Sequence, residues 1–205
     1  MKHLRFLAIL LALCPAAAFG ADFGPSHQLA SGEVLRGRFT EDTPLKGIAN
    51  PLHSEGRFVV APGHGLIWAV EKPMAMMFIF TNAGMVQIIG GIPLLQQSSQ
   101  KNPFLAQVTG LLAAALSGDW KTLEPNLAIT HNGNAKLWRV KMTPRPTCPL
   151  TMPFRAITAT GGSNVDNAEV LRPDGLSETF TFSNHSVTPG PLTNAETAAF
   201  SRGPL

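Results

Sequence analysis

Cysteine and charge are both scarce in this sequence. Of its 205 residues two are cysteine, and Asp, Glu, Lys and Arg together make up 14%. Cys14 falls in an apolar N-terminal run, which leaves Cys148 alone in the remainder. An internal disulfide is therefore excluded once that run is removed, and Cys148 reads as a small hydrophobe beside Pro149 rather than as a reactive thiol. Also missing are His-Glu-x-x-His, Cys-x-x-Cys, Gly-x-Ser-x-Gly and Gly-x-x-x-x-Gly-Lys, so the usual signatures of metalloprotease, dithiol, serine-hydrolase and nucleotide chemistry are absent. His27, His53, His64, His131 and His185 are scattered rather than spaced as metal ligands. His64, between two glycines in Pro62-Gly63-His64-Gly65, is the most site-like of them and reads as a solvated turn residue; Asp166 and Asp174 read the same way. The sequence therefore predicts no enzyme, no metal and no cofactor. Beyond the N-terminus no apolar run approaches the roughly 20 residues that a spanning helix needs.

What the N-terminus does carry is a short basic segment, Met1-Lys2-His3-Leu4-Arg5, an apolar stretch from Phe6 to Leu13, and the small-x-small step Ala18-Phe19-Gly20. That pattern predicts a cleaved secretory signal peptide over residues 1–20 and a single domain over 21–205. The alternatives are a retained anchor, for which the run is short, and lipidation at Cys14, where Leu13 and Pro15 are poor neighbours. Without Lys2 and Arg5 the remaining 14 basic residues face 13 acidic ones, a net charge near +1. Nucleic-acid binding, which needs a clustered basic surface, has no support.

The rest reads as short apolar runs between turn residues. Glu33–Thr40, Arg57–Ala61, Leu66–Glu71, Met76–Thr81 and Met85–Ile89 are rich in Val, Ile, Phe, Met or Trp and are punctuated by Pro-Gly, Lys-Pro and Asn-Ala-Gly. Gly90–Gln100 reads as a loop. Asn102-Pro103 then opens a helix that Gly118 closes, with Phe104, Leu105, Val108, Leu111, Leu112, Ala115 and Leu116 on one stripe. Strands resume at Leu127–Asn132, Ala135–Met142, Phe154–Thr160, Asn164–Leu171 and Ser177–Asn184, joined by Asn-Gly and Asp-Gly hairpin signals and by the proline-rich link Met142–Pro153. Thr193 and Glu196 have capping-box spacing before a short terminal helix. About ten strands in two groups around one long helix imply a curved antiparallel sheet, mainly β with helices, rather than βαβ units. A flat sheet of that size would expose more apolar face than one helix covers; curling into an incomplete barrel with the helix as lid removes the problem.

Met74, Met76, Met77, Phe78 and Phe80 crowd one short segment. Methionine is flexible and suits a surface that repacks around variable apolar partners, although it also fills gaps in closed cores.

Gly56-Arg57-Phe58, Pro62-Gly63, Trp68, Pro73 and Asn82-Ala83-Gly84, together with Leu35-x-Gly-x-Phe39-Thr40-Glu41, Asn102-Pro103-Phe104 and Leu123-Glu124-Pro125, resemble a divergent branch of the LolA-like family, the periplasmic carriers of outer-membrane lipoproteins. The resemblance runs from about Glu33 to Phe200 through short motifs. It implies a LolA/LolB-like incomplete barrel whose helical lid covers an apolar cavity for the acyl chains of a lipid or lipoprotein. It also implies periplasmic location, a monomer, transient membrane contact, and an inner-membrane donor and an outer-membrane acceptor protein. Implied cavity and lid residues are Phe39, Phe58, Val60, Leu66, Trp68, Met74, Met76, Met77, Phe78, Phe80, Phe104, Val108, Leu111, Leu112, Trp138, Phe180 and Phe182. The chain departs from the family where an arginine before the turn proline fastens the lid: Ala61 precedes Pro62 here. Arg57 is the nearby arginine. A non-lipoprotein acyl lipid is a serious candidate cargo, and a docking or assembly factor at the outer membrane is the alternative function. A lipid hydrolase would need a nucleophile and base that the sequence does not display.

Overall fold

The computed structural model describes residues 28–102, 110, 113–134, 136–148 and 152–203. Its strands are β1 (Glu33–Thr43), β2 (Leu52–Ala61), β3 (Gly65–Lys72), β4 (Met76–Thr81), β5 (Gly84–Ile89), β6 (Ile92–Ser98), β7 (Leu127–Asn134), β8 (Leu137–Pro144), β9 (Ala156–Gly161), β10 (Val165–Leu171) and β11 (Ser177–Pro189). Residues 113–117 are helical, Trp120–Leu123 form a 3₁₀ turn, and Asn194–Phe200 form the terminal helix. All eleven strands join one antiparallel sheet in the order β6-β5-β4-β3-β2-β1-β11-β10-β9-β8-β7. The first and last strand groups meet where β1 pairs with β11, Phe39 opposite Phe182. The edges β6 and β7 do not pair, so the sheet is curved and unclosed, as the strand count and the area argument predicted.

The curl follows from which side chains meet. Trp68 on β3 and Met142 on β8 are six strand steps apart in the sheet order. At roughly 4.8 Å per strand a flat sheet would separate them by about 29 Å, yet both border the same internal cavity.

Period-two alternation sorts the strands onto two faces. Leu35 and Phe39 on β1, Phe58 and Val60 on β2, and Leu66, Trp68 and Val70 on β3 join the large inner cluster with Trp138, Val140 and Met142 of β8 and Phe182 of β11. Val34, Val59, Ala61, Ile67, Ile79, Val86 and Ile88 form a smaller outer cluster closed by Phe200. Thr193 and Glu196 make the expected capping box, and Glu196 also accepts from Arg36 of β1 through two bonds of 2.7 Å. The terminal helix is thus tied to the outer face.

Several boundaries differ from expectation: β1 runs on to Thr43 and β2 begins at Leu52 rather than Arg57, and two further differences have clear local reasons. Gly90–Gln100, expected as a loop, contains β6. Gly90 and Gly91 both have positive φ, 58° and 81°, the requirement of a two-residue hairpin turn, and Ile89 pairs with Ile92 across it. Pro93 is admissible because β6 is an edge strand. The last strand runs past Asn184 to Pro189, because Asn184 (φ 53°) and His185 form a bulge opposite β1 rather than ending the ladder.

Candidate functional site

A cavity of about 240 Å³ lies on the inner face. Trp68, Phe180 and Phe182 form one wall, where Phe39 stacks on Trp68 at 3.8 Å between ring centroids and Phe180 meets Trp68 edge-on at 6.0 Å. Ile157, Ala168 and Val170 of β9 and β10 form the second wall. Ala115 and Leu116 of the helical stretch, Trp120 and Leu123 of the 3₁₀ turn, and Pro153 and Phe154 of the link close it from above. Gly118 ends that helical stretch as expected, with φ 77° and Asp119 N–H donating back to the Ala114 carbonyl at 2.9 Å.

The rings lie flat on the sheet because two inner positions lack a side chain. A Cβ at Gly37 would come within 2.5 Å of the Phe58 ring, and one at Gly56 within 2.0 Å of the Ala69 carbonyl oxygen and 2.9 Å of the Phe39 ring.

Glu178 is the one charged residue in the cavity wall among the described residues. Its carboxylate accepts from Arg172 Nη1 at 3.1 Å. Arg172 also pairs with Asp174, Nε to Oδ1 at 3.3 Å. Glu41, one pleat beyond Phe39 on the same face, accepts from Thr43 Oγ1 at 3.0 Å. Burial pushes the Glu41 carboxyl up, and the nearby charge of Glu178 adds to the rise.

Of the residues expected at the site, Trp68, Phe180 and Phe182 border the cavity. Phe39, Phe58, Val60, Leu66 and Trp138 are buried in the cluster beneath it, and Met76, Phe78 and Phe80 pack against that cluster. Met77 is corrected: the pleat turns it to the outer face, where it packs against the second cluster. Met74 is likewise corrected; it sits in the β3–β4 turn, 53% exposed. Phe104, Val108, Leu111 and Leu112 lie outside the described residues. Arg57 faces outward, where it shares Glu71 with Arg38, each at 2.9 Å, so it has no contact with the cavity side. His64 is an exposed turn residue near Phe200. Among the described residues no three His, Cys, Asp or Glu side chains are grouped to hold a metal, and no helix is long and apolar enough to cross a membrane.

Sequence reasoning missed Trp120, Phe154, Ile157, Ala168, Val170 and Glu178. The alternation Ala168-Glu169-Val170 and Glu178-Thr179-Phe180 held the signal for β10 and β11, but not which phase faced inward.

No family model and no curated protein matches the chain. LolA superfamily proteins are among the solved structures similar to it. One, from Nitrosomonas europaea, is 7% identical at a TM-score of 0.39, covering 82% of this chain and 91% of that one. A domain from Vibrio parahaemolyticus assigned to outer-membrane lipoprotein sorting is 9% identical at 0.38, covering 83% and 92%. A chain of the MucA/MucB complex of Pseudomonas aeruginosa is 14% identical at 0.46; the match covers 80% of this chain and 54% of that one, so this chain spans about half its length. At these identities the function rests on the cavity itself.

Proposed function

We propose that this protein is a non-enzymatic carrier of the cell envelope, exported by its N-terminal segment, that holds an acyl chain in the inner cavity and moves it between membranes. The observation that carries the reading is an apolar cavity whose wall has a single charged residue among the described residues. At about 240 Å³ it falls just below the range of about 300–1,000 Å³ typical of small-molecule sites, which suits one chain rather than several. Each methylene moved from water into such a site is worth about 0.8 kcal/mol, so even one chain is held firmly without covalent chemistry, and release needs the helical cover to shift.

Leu45, Ile48, Leu52, Met74 and Ile92 are exposed and all lie at the end of the sheet where β1 finishes and β2, β4 and β6 begin, with Lys46 among them. An apolar rim of this kind fits transient contact with a lipid surface. A second reading, a docking factor for a partner protein, is favoured by β6, an open edge strand whose Ile92, Leu94 and Leu95 are exposed.

Titration with a fluorescent dodecanoyl probe separates the two. The carrier reading expects saturable binding near one probe per chain, abolished by Phe180→Asp. Absence of binding by the native chain would leave the docking reading in place.

A further inference from the structure

The indole nitrogen of Trp120 is buried and has no hydrogen-bond partner among the described residues. The contrast is Trp138, which packs edge-on against Trp120 at 5.6 Å between ring centroids and donates its own Nε1–H to the Gly162 carbonyl at 2.6 Å. Buried tryptophans ordinarily find an acceptor, and a buried donor left without one is costly. Trp120 borders the cavity, so an acceptor on the cavity's occupant could satisfy it.

A carboxylate would be an acceptor, but the surroundings oppose a second negative charge. Glu178 is in the wall and Glu41 is close enough to feel it. The one cation of the group, Arg172, is already committed: Nη1 donates to Glu178, and Nε and Nη2 both donate to Asp174. Shared with the exposed Asp174, that guanidinium does not offset both Glu178 and Glu41, so this side of the cavity leans negative. The occupant thus needs an acceptor without a charge.

We propose that Trp120 and Glu178 together set the ligand class: a chain carried through a neutral carbonyl, as an acyl ester or amide, with Trp120 Nε1–H donating to the carbonyl oxygen and Glu178 turning away free fatty-acid carboxylates. Trp120 is then a specificity residue rather than a filler of the apolar wall. The inference rests on the reading of the cavity as an acyl-chain site.

The test compares four dodecyl compounds by competition against the fluorescent probe at pH 7: 1-monododecanoylglycerol, its ether analogue 1-O-dodecylglycerol, an N-dodecanoyl peptide amide, and dodecanoate. The native chain should prefer the ester to the ether by about tenfold, the scale of leaving a buried donor unmet, and should bind dodecanoate more weakly than either carbonyl compound. Trp120→Phe should cost the ester more affinity than the ether and so erase the preference between them, and Glu178→Gln should raise dodecanoate affinity. Whichever of the glycerol ester and the peptide amide binds more tightly names the source of the carbonyl, lipid or acylated polypeptide. Equal affinity for ester and ether, an equal fall of both in Trp120→Phe, or dodecanoate binding as tightly as the ester would overturn the inference while leaving the acyl-chain reading standing. Failure of every dodecyl compound to bind would overturn both.

Discussion

At the scale of single residues, absences matter as much as presences. Gly56 sits where the β2–β3 ladder brings the Ala69 carbonyl within 2.0 Å of a would-be Cβ. That neighbour is backbone and cannot swing aside, so Gly56→Ala is expected to lower stability by about 1–3 kcal/mol, read as a shift of the urea midpoint; an unchanged midpoint would contradict the packing described. Ala168 makes the opposite kind of point. It is half-buried in the cavity wall, so Ala168→Trp should fill the space and remove probe binding while the far-ultraviolet circular dichroism stays that of the native chain. Probe binding at native affinity by that variant would place the ligand elsewhere.

The aromatic residues were named through the family resemblance, since alternation alone did not show which face turned inward; Trp68, Phe180 and Phe182 border the cavity. Met77 was misread for the same reason that makes alternation powerful. Met76, Met77 and Phe78 are all apolar, so the segment reads as two buried faces, and only the pairing of Met77 with Ile88 across the ladder shows it lies with the outer cluster. Trp120 could not be found at all from sequence, since its importance lies in a hydrogen bond that is missing from its environment rather than in a motif.

At the scale of elements, the terminal helix is held by electrostatics as well as by Phe200. The Arg36 guanidinium, with the backbone and hydroxyl of Thr193, holds the Glu196 carboxyl down to about 2 from an ordinary value of 4.5. Because the folded value lies below the unfolded one, this contribution is complete above about pH 4.5 and is lost as pH falls toward 2. Thermal stability should therefore fall across that window, and Glu196→Gln should be less stable than the native chain at pH 7 but lose less on acidification. Part of the acid loss will remain, since the partners Arg38, Lys72 and Arg172 also hold Glu71, Glu55 and Asp174 low. Equal stability of the two chains at pH 7 would remove this bond from the account.

The loops at the rim make a separate prediction. Ile48 and Met74 are 58% and 53% exposed and neither lines the cavity, so the double variant Ile48→Asp, Met74→Asp should sediment several-fold less with lipid vesicles while binding the dodecanoyl probe as the native chain does. Unaltered sedimentation would exclude this end of the sheet from membrane contact. Apart from β6, strand existence was readable from period two and from Asn-Gly and Asp-Gly turns; strand ends were not. Asn184 looked like a terminus because asparagine favours turns, whereas here it supplies the positive φ of a bulge that lets β11 continue along β1.

At the scale of the whole molecule, the decisive feature is the imbalance between the two faces of one sheet. Among the described residues, the helical stretch, the 3₁₀ turn and the link leave part of the inner apolar face uncovered, and that part is the cavity. The curved, incomplete barrel was inferable from strand count and area alone. The size of the cavity, its single charged wall residue and the hidden indole N–H depend on side-chain placement across strands far apart in sequence, such as β3 against β8, and no local pattern encodes them.

The most direct test is native mass spectrometry, with lipid identification, on the chain purified gently from the envelope of cells that make it. The account predicts a bound mass of one acyl-chain compound that solvent extraction removes, and its absence from the Ala168→Trp variant. A native chain that emerges empty and stays empty when offered acyl lipids would contradict it.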